Sequence, residues 1–344
     1  MNKKRLALKA FILGLAAYLV FLMPIPYYIE RPGSAVVIND RVEVDGRADE
    51  SDSRYMLTTV EMFKATPFSY LFQYLPYHSG VSERDLLGNY DDYTAYKTLQ
   101  NYYMDFSIHT AKAAAFNQAD LPYEIDYRGV YVMSVSEESN FSGRLNMGDS
   151  ITKIDGDSFD NTDDFIEYVS NRSVDDTVTL TVERDGNSRD LSGELILIEE
   201  TGNPGIGITL VTQSSVTTSP EVTIDAGNIG GPSAGLMFSL QVYKMLVEDF
   251  DSDLDVAGTG TITETGEVGR IGGIDKKVVA ADEEGATVFF APNDEIDSQV
   301  LEQFPDLQSN YETAVETAEA IGSDMEIVPV KHIEDAIEYL NNFD

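Results

Sequence analysis

Asn228-Ile229-Gly230-Gly231-Pro232-Ser233-Ala234-Gly235, running straight into LMFSLQVYKMLV (236–247), is the stretch on which the reading of this chain turns. Glycines and a proline give way to a largely apolar run, the pattern of a loop feeding a buried helix. Pro232 suits the first helical position, where its missing N–H costs nothing, and the glycines let another backbone approach closely. Ser233 is therefore predicted in the first turn. Its hydroxyl would lie beside unpaired backbone N–H groups and the positive end of the helix dipole, an arrangement that stabilises a developing oxyanion. The same pattern fits a plain glycine-rich turn before a core helix, so the serine needs a partner before it implies chemistry.

A nucleophilic serine requires a base, and the 3 histidines offer none. His78 and His109 lie in the N-terminal part; His109, near Ala111, Ala113 and Ala114, reads as a packed or solvent-facing helix residue. His332 sits near the C-terminus in VKHIEDAIEYL. With 0 cysteines there is no thiolate, disulfide or Cys-ligated metal, and no H-E-x-x-H occurs, so neither a metal nor another cofactor is expected. Residues 257–286, AGTGTITETGEVGRIGGIDKKVVAADEEGA, read instead as two strands, a Gly272-Gly273 break and a helix from about Ile274. If Ile274, Val278 and Ala281 form its apolar stripe, Lys277 falls on that stripe and Lys276 points roughly 100° away.

Burial and the positive end of the helix dipole both disfavour an ammonium at Lys277. A lysine so placed can hold a free amine near neutral pH and take the proton of a serine hydroxyl. A snorkelling surface lysine is the alternative.

Away from these motifs, 60 acidic against 23 basic residues give the 344-residue chain a formal charge of −37, which disfavours nucleic acid as a partner. That excess also suits a solvated surface in salty or extracellular surroundings. At the N-terminus Lys3, Lys4 and Arg5 precede an apolar run over residues 10–26. Counted from Leu6, it approaches the ~20 residues that span a bilayer, with Lys9 snorkelling to the headgroups. A retained single-pass transmembrane helix is predicted over residues 1–27, its basic end cytoplasmic and everything beyond it outside the cell membrane. Signal cleavage is the alternative, but Pro24, Tyr27, Tyr28 and Glu30 follow in place of an A-x-A-like site.

Residues 28–120 read as a separate extracytoplasmic α/β region, with strands at 34–44 and 58–60 and helical composition over 82–117. Then GVYVMSV (129–135) alternates as a strand, and turns flank a second strand at Ser150–Ile154. A helix capped by Asn161 or Thr162 buries Phe165, Ile166 and Val169, and TVTLTVERDGN (177–187) adds a strand and an Asp185-Gly186 turn. The pattern L-x-x-G-D-x-I-x-x-I-D-G over 145–156 resembles PDZ domains of the bacterial, circularly permuted kind, placing a β-barrel-like domain at 121–200. The resemblance implies a groove between a strand and a helix where a peptide adds as an extra strand. It puts Tyr127, Arg128, Gly129 and Val130 at the carboxylate-binding loop, although these residues also fit an ordinary strand-entry turn.

Gly-Pro-Ser-Ala-Gly at 231–235 and Ile-Gly-Gly-x-x-x-Lys at 271–277 together resemble the proteolytic domain of the Lon family, expected at 201–344. EIVPVKHIEDAIEYL (326–340) is similar to that domain's last strand and helix. The resemblance implies Ser233 as nucleophile, Lys277 as base, Thr259 as the residue positioning the lysine amine, and amides near Gly231 and Ser233 as oxyanion donors. Gly230 departs from the family, which often has an acid there, and this puts the loop shape and pocket charge in doubt. No G-x-x-x-x-G-K-[ST] occurs, so this chain shows no phosphate-cradling loop.

Anchor, PDZ domain and Lon-type α/β domain in this order resemble the membrane-anchored Lon-like PDZ peptidases of Gram-positive bacteria, some of which trim peptide pheromones. An α+β multidomain serine endopeptidase is expected, with peptide or protein substrates and possible homo-oligomers. A PDZ-based scaffold with an inactive Lon-like domain is the alternative.

Overall fold

The computed structural model describes residues 3–343 apart from 89–92, 160, 185, 200, 249, 251, 253 and 297. It opens with helix α1 (Lys3–Phe21), strands β1 (Tyr27–Val37), β2 (Tyr55–Lys64) and β3 (Ser79–Ser82), and the long helix α2 (Tyr93–Gln118). Strands β4 (Tyr123–Val135) and β5 (Ser150–Ile154), helix α3 (Thr162–Ser170), and strands β6 (Thr177–Arg184) and β7 (Asn187–Glu194) follow. Next come a short hairpin of β8 (Ile196–Ile198) and β9 (Asn203–Gly205), and then β10 (Ile208–Thr218). The C-terminal part alternates α4 (Gly235–Leu246), β11 (Val256–Gly258), α5 (Ile274–Glu284), β12 (Val288–Pro292), α6 (Asn310–Ile321), β13 (Glu326–Val330) and α7 (Ile333–Asn341).

One sheet has 6 strands in the order β13-β12-β11-β2-β1-β3. Strand β2 joins β11 in parallel, Tyr55 opposite Val256 and Leu57 opposite Gly258, while β1 and β3 extend the sheet antiparallel. Residues 28–120 are therefore no separate region: they supply three strands to the sheet that carries the C-terminal half, and α2 packs against α4. Local periodicity cannot show such pairing. β12 alternates as a doubly buried strand should, Phe290 packing with Phe238 of α4 and Ala111 of α2 on one face, Phe289 with Val278 of α5 and Ala314 of α6 on the other.

The second sheet has 5 strands in the order β10-β4-β5-β6-β7 and sits between α2 and α4 in the chain. Val130, Val132, Ile151 and Leu180 form its own core with Phe165 and Val169 of α3. Asn161 caps that helix, accepting from the Asp164 amide; Asp185 lies outside the described residues. Strand β10 pairs with β4 from Ile208–Val135 to Thr218–Tyr123, so this unit continues well past the expected boundary at residue 200.

Helix α1 forms, but among the described residues no helix is long and apolar enough to cross a membrane, so the predicted transmembrane helix finds no support. Lys4, Arg5 and Lys9 lie within it, leaving residues 10–21 as its uncharged part. At ~1.5 Å per residue this reaches ~18 Å, against ~30 Å of hydrocarbon.

Candidate active site

Helix α4 begins at Gly235, with Ala234 as its N-cap, so Pro232 and Ser233 lie just before the helix and not in its first turn. The Ser233 carbonyl is held twice, by the Gly260 amide at 2.9 Å and by Thr259 Oγ1 at 3.0 Å. These bonds fix the loop to the end of β11. From the sheet's other face, α5 starts after Gly273, whose φ of 67° is left-handed backbone that suits glycine, and brings Lys277 into the same place. Lys277 Nζ lies 2.7 Å from Ser233 Oγ and 2.9 Å from Thr259 Oγ1. The three residues that the sequence singled out for the dyad and its positioning thus converge.

Electrostatics separates this lysine from the other buried ones. Lys277 is 3% exposed and its Nζ has two hydroxyl partners, so burial pushes its pKa down to about 7. Lys276 is buried as well, contrary to the helix-phase argument, but its Nζ sits 3.3 Å from Asp275. Lys244, on the far end of α4, lies 3.1 Å from Asp49. Among the described residues no carboxylate pairs with Lys277, which has the setting of a free amine.

The expected oxyanion donor at Gly231 is not available: its amide donates to the carbonyl of Gln100 in α2 at 2.8 Å. The amides of Ser233 and Ala234 have no hydrogen-bond partner among the described residues and stand at the start of α4, where they can receive an oxyanion. Ser107 of α2 donates to the Pro232 carbonyl at 3.0 Å. Gln100 and Ser107 thereby hold the loop before the nucleophile, a role sequence reasoning missed because no motif marks them. A cleft of about 1180 Å³ opens over Ser233 and Lys277, lined among others by Thr59, Met62, Tyr96 and Gln100. The histidines stand elsewhere: His332 caps α7 and bonds the Thr265 carbonyl.

Tyr127, Arg128, Gly129 and Val130 lie inside strand β4, not in a binding loop. Val130 is core, Arg128 Nε donates to Ser215 Oγ, and a Cβ on Gly129 would come 2.3 Å from the Ile151 carbonyl oxygen, so close strand packing explains that glycine. Edge strand β10 and helix α3 are neighbours, the hydroxyls of Thr212 and Thr162 meeting at 2.7 Å. Strand β10 begins beyond residue 200, outside the expected domain boundary.

A family model of the Lon protease (S16) C-terminal proteolytic domain matches residues 218–341, and one of the PDZ domain matches residues 105–195. The chain joins a PDZ domain to a Lon-type proteolytic domain. The Lon protease of Metamycoplasma arthritidis is 28% identical over 125 residues, 36% of this chain. The chain spans only 13% of the length of that curated relative. Among solved structures, the PDZ domain of an SdrC-like protein from Listeria monocytogenes is 40% identical, covering 26% of this chain and 93% of that one at a TM-score of 0.25. Its counterpart from Listeria innocua is 41% identical, covering 24% and 92%, at 0.23. The six-stranded sheet carrying Ser233 and Lys277 is the Lon-type domain, completed by residues before the PDZ domain as well as after it.

Proposed function

We propose that the chain is a serine endopeptidase that hydrolyses peptide bonds without ATP, with Ser233 as nucleophile and Lys277 as general base. The observation that carries this reading is a buried lysine, with no carboxylate partner among the described residues and with Nζ 2.7 Å from Ser233 Oγ. As a neutral amine, Nζ accepts the Oγ proton while Oγ attacks the substrate carbonyl, and Thr259 Oγ1 holds the amine in line. The Ser233 and Ala234 amides receive the oxyanion. The resulting ammonium protonates the leaving amine, and the same lysine then activates the water that releases the acyl group. Thr259→Val keeps the shape but removes the hydroxyl; kcat is expected to fall about 10- to 100-fold with KM little changed. Steady-state kinetics with unaltered kcat would remove Thr259 from the machinery.

Substrates in this reading are exported peptides, peptide pheromones among them, and unfolded segments, since the cleft admits an extended chain and this sequence supplies no phosphate-binding loop. The basic leader and apolar run support a location outside the cytoplasm, with α1 attached to the membrane. Phe11, Leu13 and Leu22 are 68%, 71% and 68% exposed, and a helix apolar on every side needs a cover that lipid provides. Full-length chain is expected to float with phosphatidylglycerol vesicles. A chain lacking residues 1–22 should stay soluble while still cutting an unfolded polypeptide, but not its folded form, in the absence of ATP. Cutting that requires ATP, or flotation that persists without residues 1–22, would contradict the respective part.

A further inference from the structure

We infer that the cleft between α2 and the PDZ domain is a substrate exosite, which takes the part of an extended peptide lying a few residues from the bond cut at Ser233. The inference rests on the peptidase reading above. This second cleft, of about 1040 Å³, is distinct from the one over Ser233. Thr94, Ala95 and Thr98 of α2 form one of its walls. Tyr93, Tyr96, Lys97 and Gln100 of the same helix line the Ser233 cleft. At about 100° per residue these two sets occupy different sides, so one helix is a wall common to both clefts. A helix with its side chains is ~10–12 Å thick, and an extended chain advances ~3.3 Å per residue, so roughly three or four residues bridge the two clefts.

The facing wall suits a peptide strand. Residues 196–199 line the cleft consecutively, and among the described residues β8 pairs only with β9, which leaves its other edge open for strand addition. Leu197, 52% exposed, together with Met133 and Ile208 offers apolar contact, and Glu138 and Glu199 add negative charge. The ligand class is thus an extended peptide with alternating apolar side chains and a basic residue.

The two walls are held in place. Tyr102 of α2 stacks on Tyr131 of the PDZ sheet at 4.8 Å and donates to the Thr212 carbonyl at 2.9 Å. The cleft lies on the opposite side of the PDZ sheet from α3. Val130 and Val132 face the core containing α3, whereas Tyr131 and Met133, alternating with them, face the side where α2 lies.

The test compares two peptides sharing one scissile hexapeptide, the second extended at both ends by alternating valine and lysine. Wild-type protein is expected to cut the long peptide with kcat/KM at least about tenfold above the short one. In Leu197→Asp and in Thr94→Trp, two changes at exposed positions of the cleft, the advantage should shrink to less than about threefold while short-peptide turnover stays the same. Equal rates for both lengths in the wild type, an undiminished advantage in both variants, or an equal loss on both peptides would overturn the exosite. Failure of the wild type to cut any short peptide would count against the peptidase reading instead, so the two failures are distinguishable.

Discussion

Lys277→Met is expected to lower kcat/KM for peptide cleavage by roughly three orders of magnitude or more, as far as Ser233→Ala does. Methionine matches the length of the lysine stem and is at home in a buried site, so the loss would come from the missing amine and not from a collapsed fold. Among the described residues only Thr259 and Lys277 offer polar side-chain atoms to Ser233, and a threonine hydroxyl cannot take up a proton near neutral pH. Because the pair acts as a unit, the double variant should be no slower than either single one. Turnover by Lys277→Met within tenfold of wild type, in protein that still unfolds cooperatively, would remove the lysine from the mechanism.

The same substitution should make the protein more stable. Burial holds Lys277 down to about 7, whereas in the unfolded chain it titrates near its ordinary 10.5. Between those pH values the unfolded chain binds a proton that the folded protein does not, so stability rises with pH across this window. It is greatest above 10.5 and is lost as pH falls toward 7, below which the folded protein carries a buried ammonium. At neutral pH the cost is on the order of 4 kcal/mol. Allowing for the hydrogen bonds to Ser233 and Thr259, Lys277→Met is expected to gain about 2–4 kcal/mol. Denaturant unfolding at pH 7 and at pH 10 would show it: the gain should be large at the lower pH and small at the higher. An equal or negative change at both would mean that the lysine is solvated or paired in the folded state.

Which features were legible in the sequence follows from how far apart the interacting residues lie. Ser233, Thr259 and Lys277 sit in short motifs whose glycines and helix starts declare themselves locally, and their convergence matches the family resemblance. Helix phase rightly aimed Lys277 inward but wrongly left Lys276 outside, because α5 is packed on more than its apolar stripe. Gly231 looked like an oxyanion donor until α2 supplied a carbonyl to it, and Ser107 meets Pro232 from 125 residues away, a distance over which periodicity is silent. The sheet shows the same limit. β2 reads as a strand, yet its bond partner Gly258 lies 200 residues from Thr58, so the N-terminal strands could not be assigned to the catalytic sheet. At the N-terminus, basic residues inside α1 shortened a run whose length alone suggested a span.

The rate at which a peptidyl phosphonate labels Ser233, followed from about pH 5 to about pH 10, tests the Ser233–Lys277 dyad most directly. In the wild type it should rise with pH around a midpoint near 7, following the amine of Lys277, and in Lys277→Met it should be flat and at least about 100-fold slower. A midpoint near 10, or Lys277→Met protein labelled as fast as wild type, would contradict it.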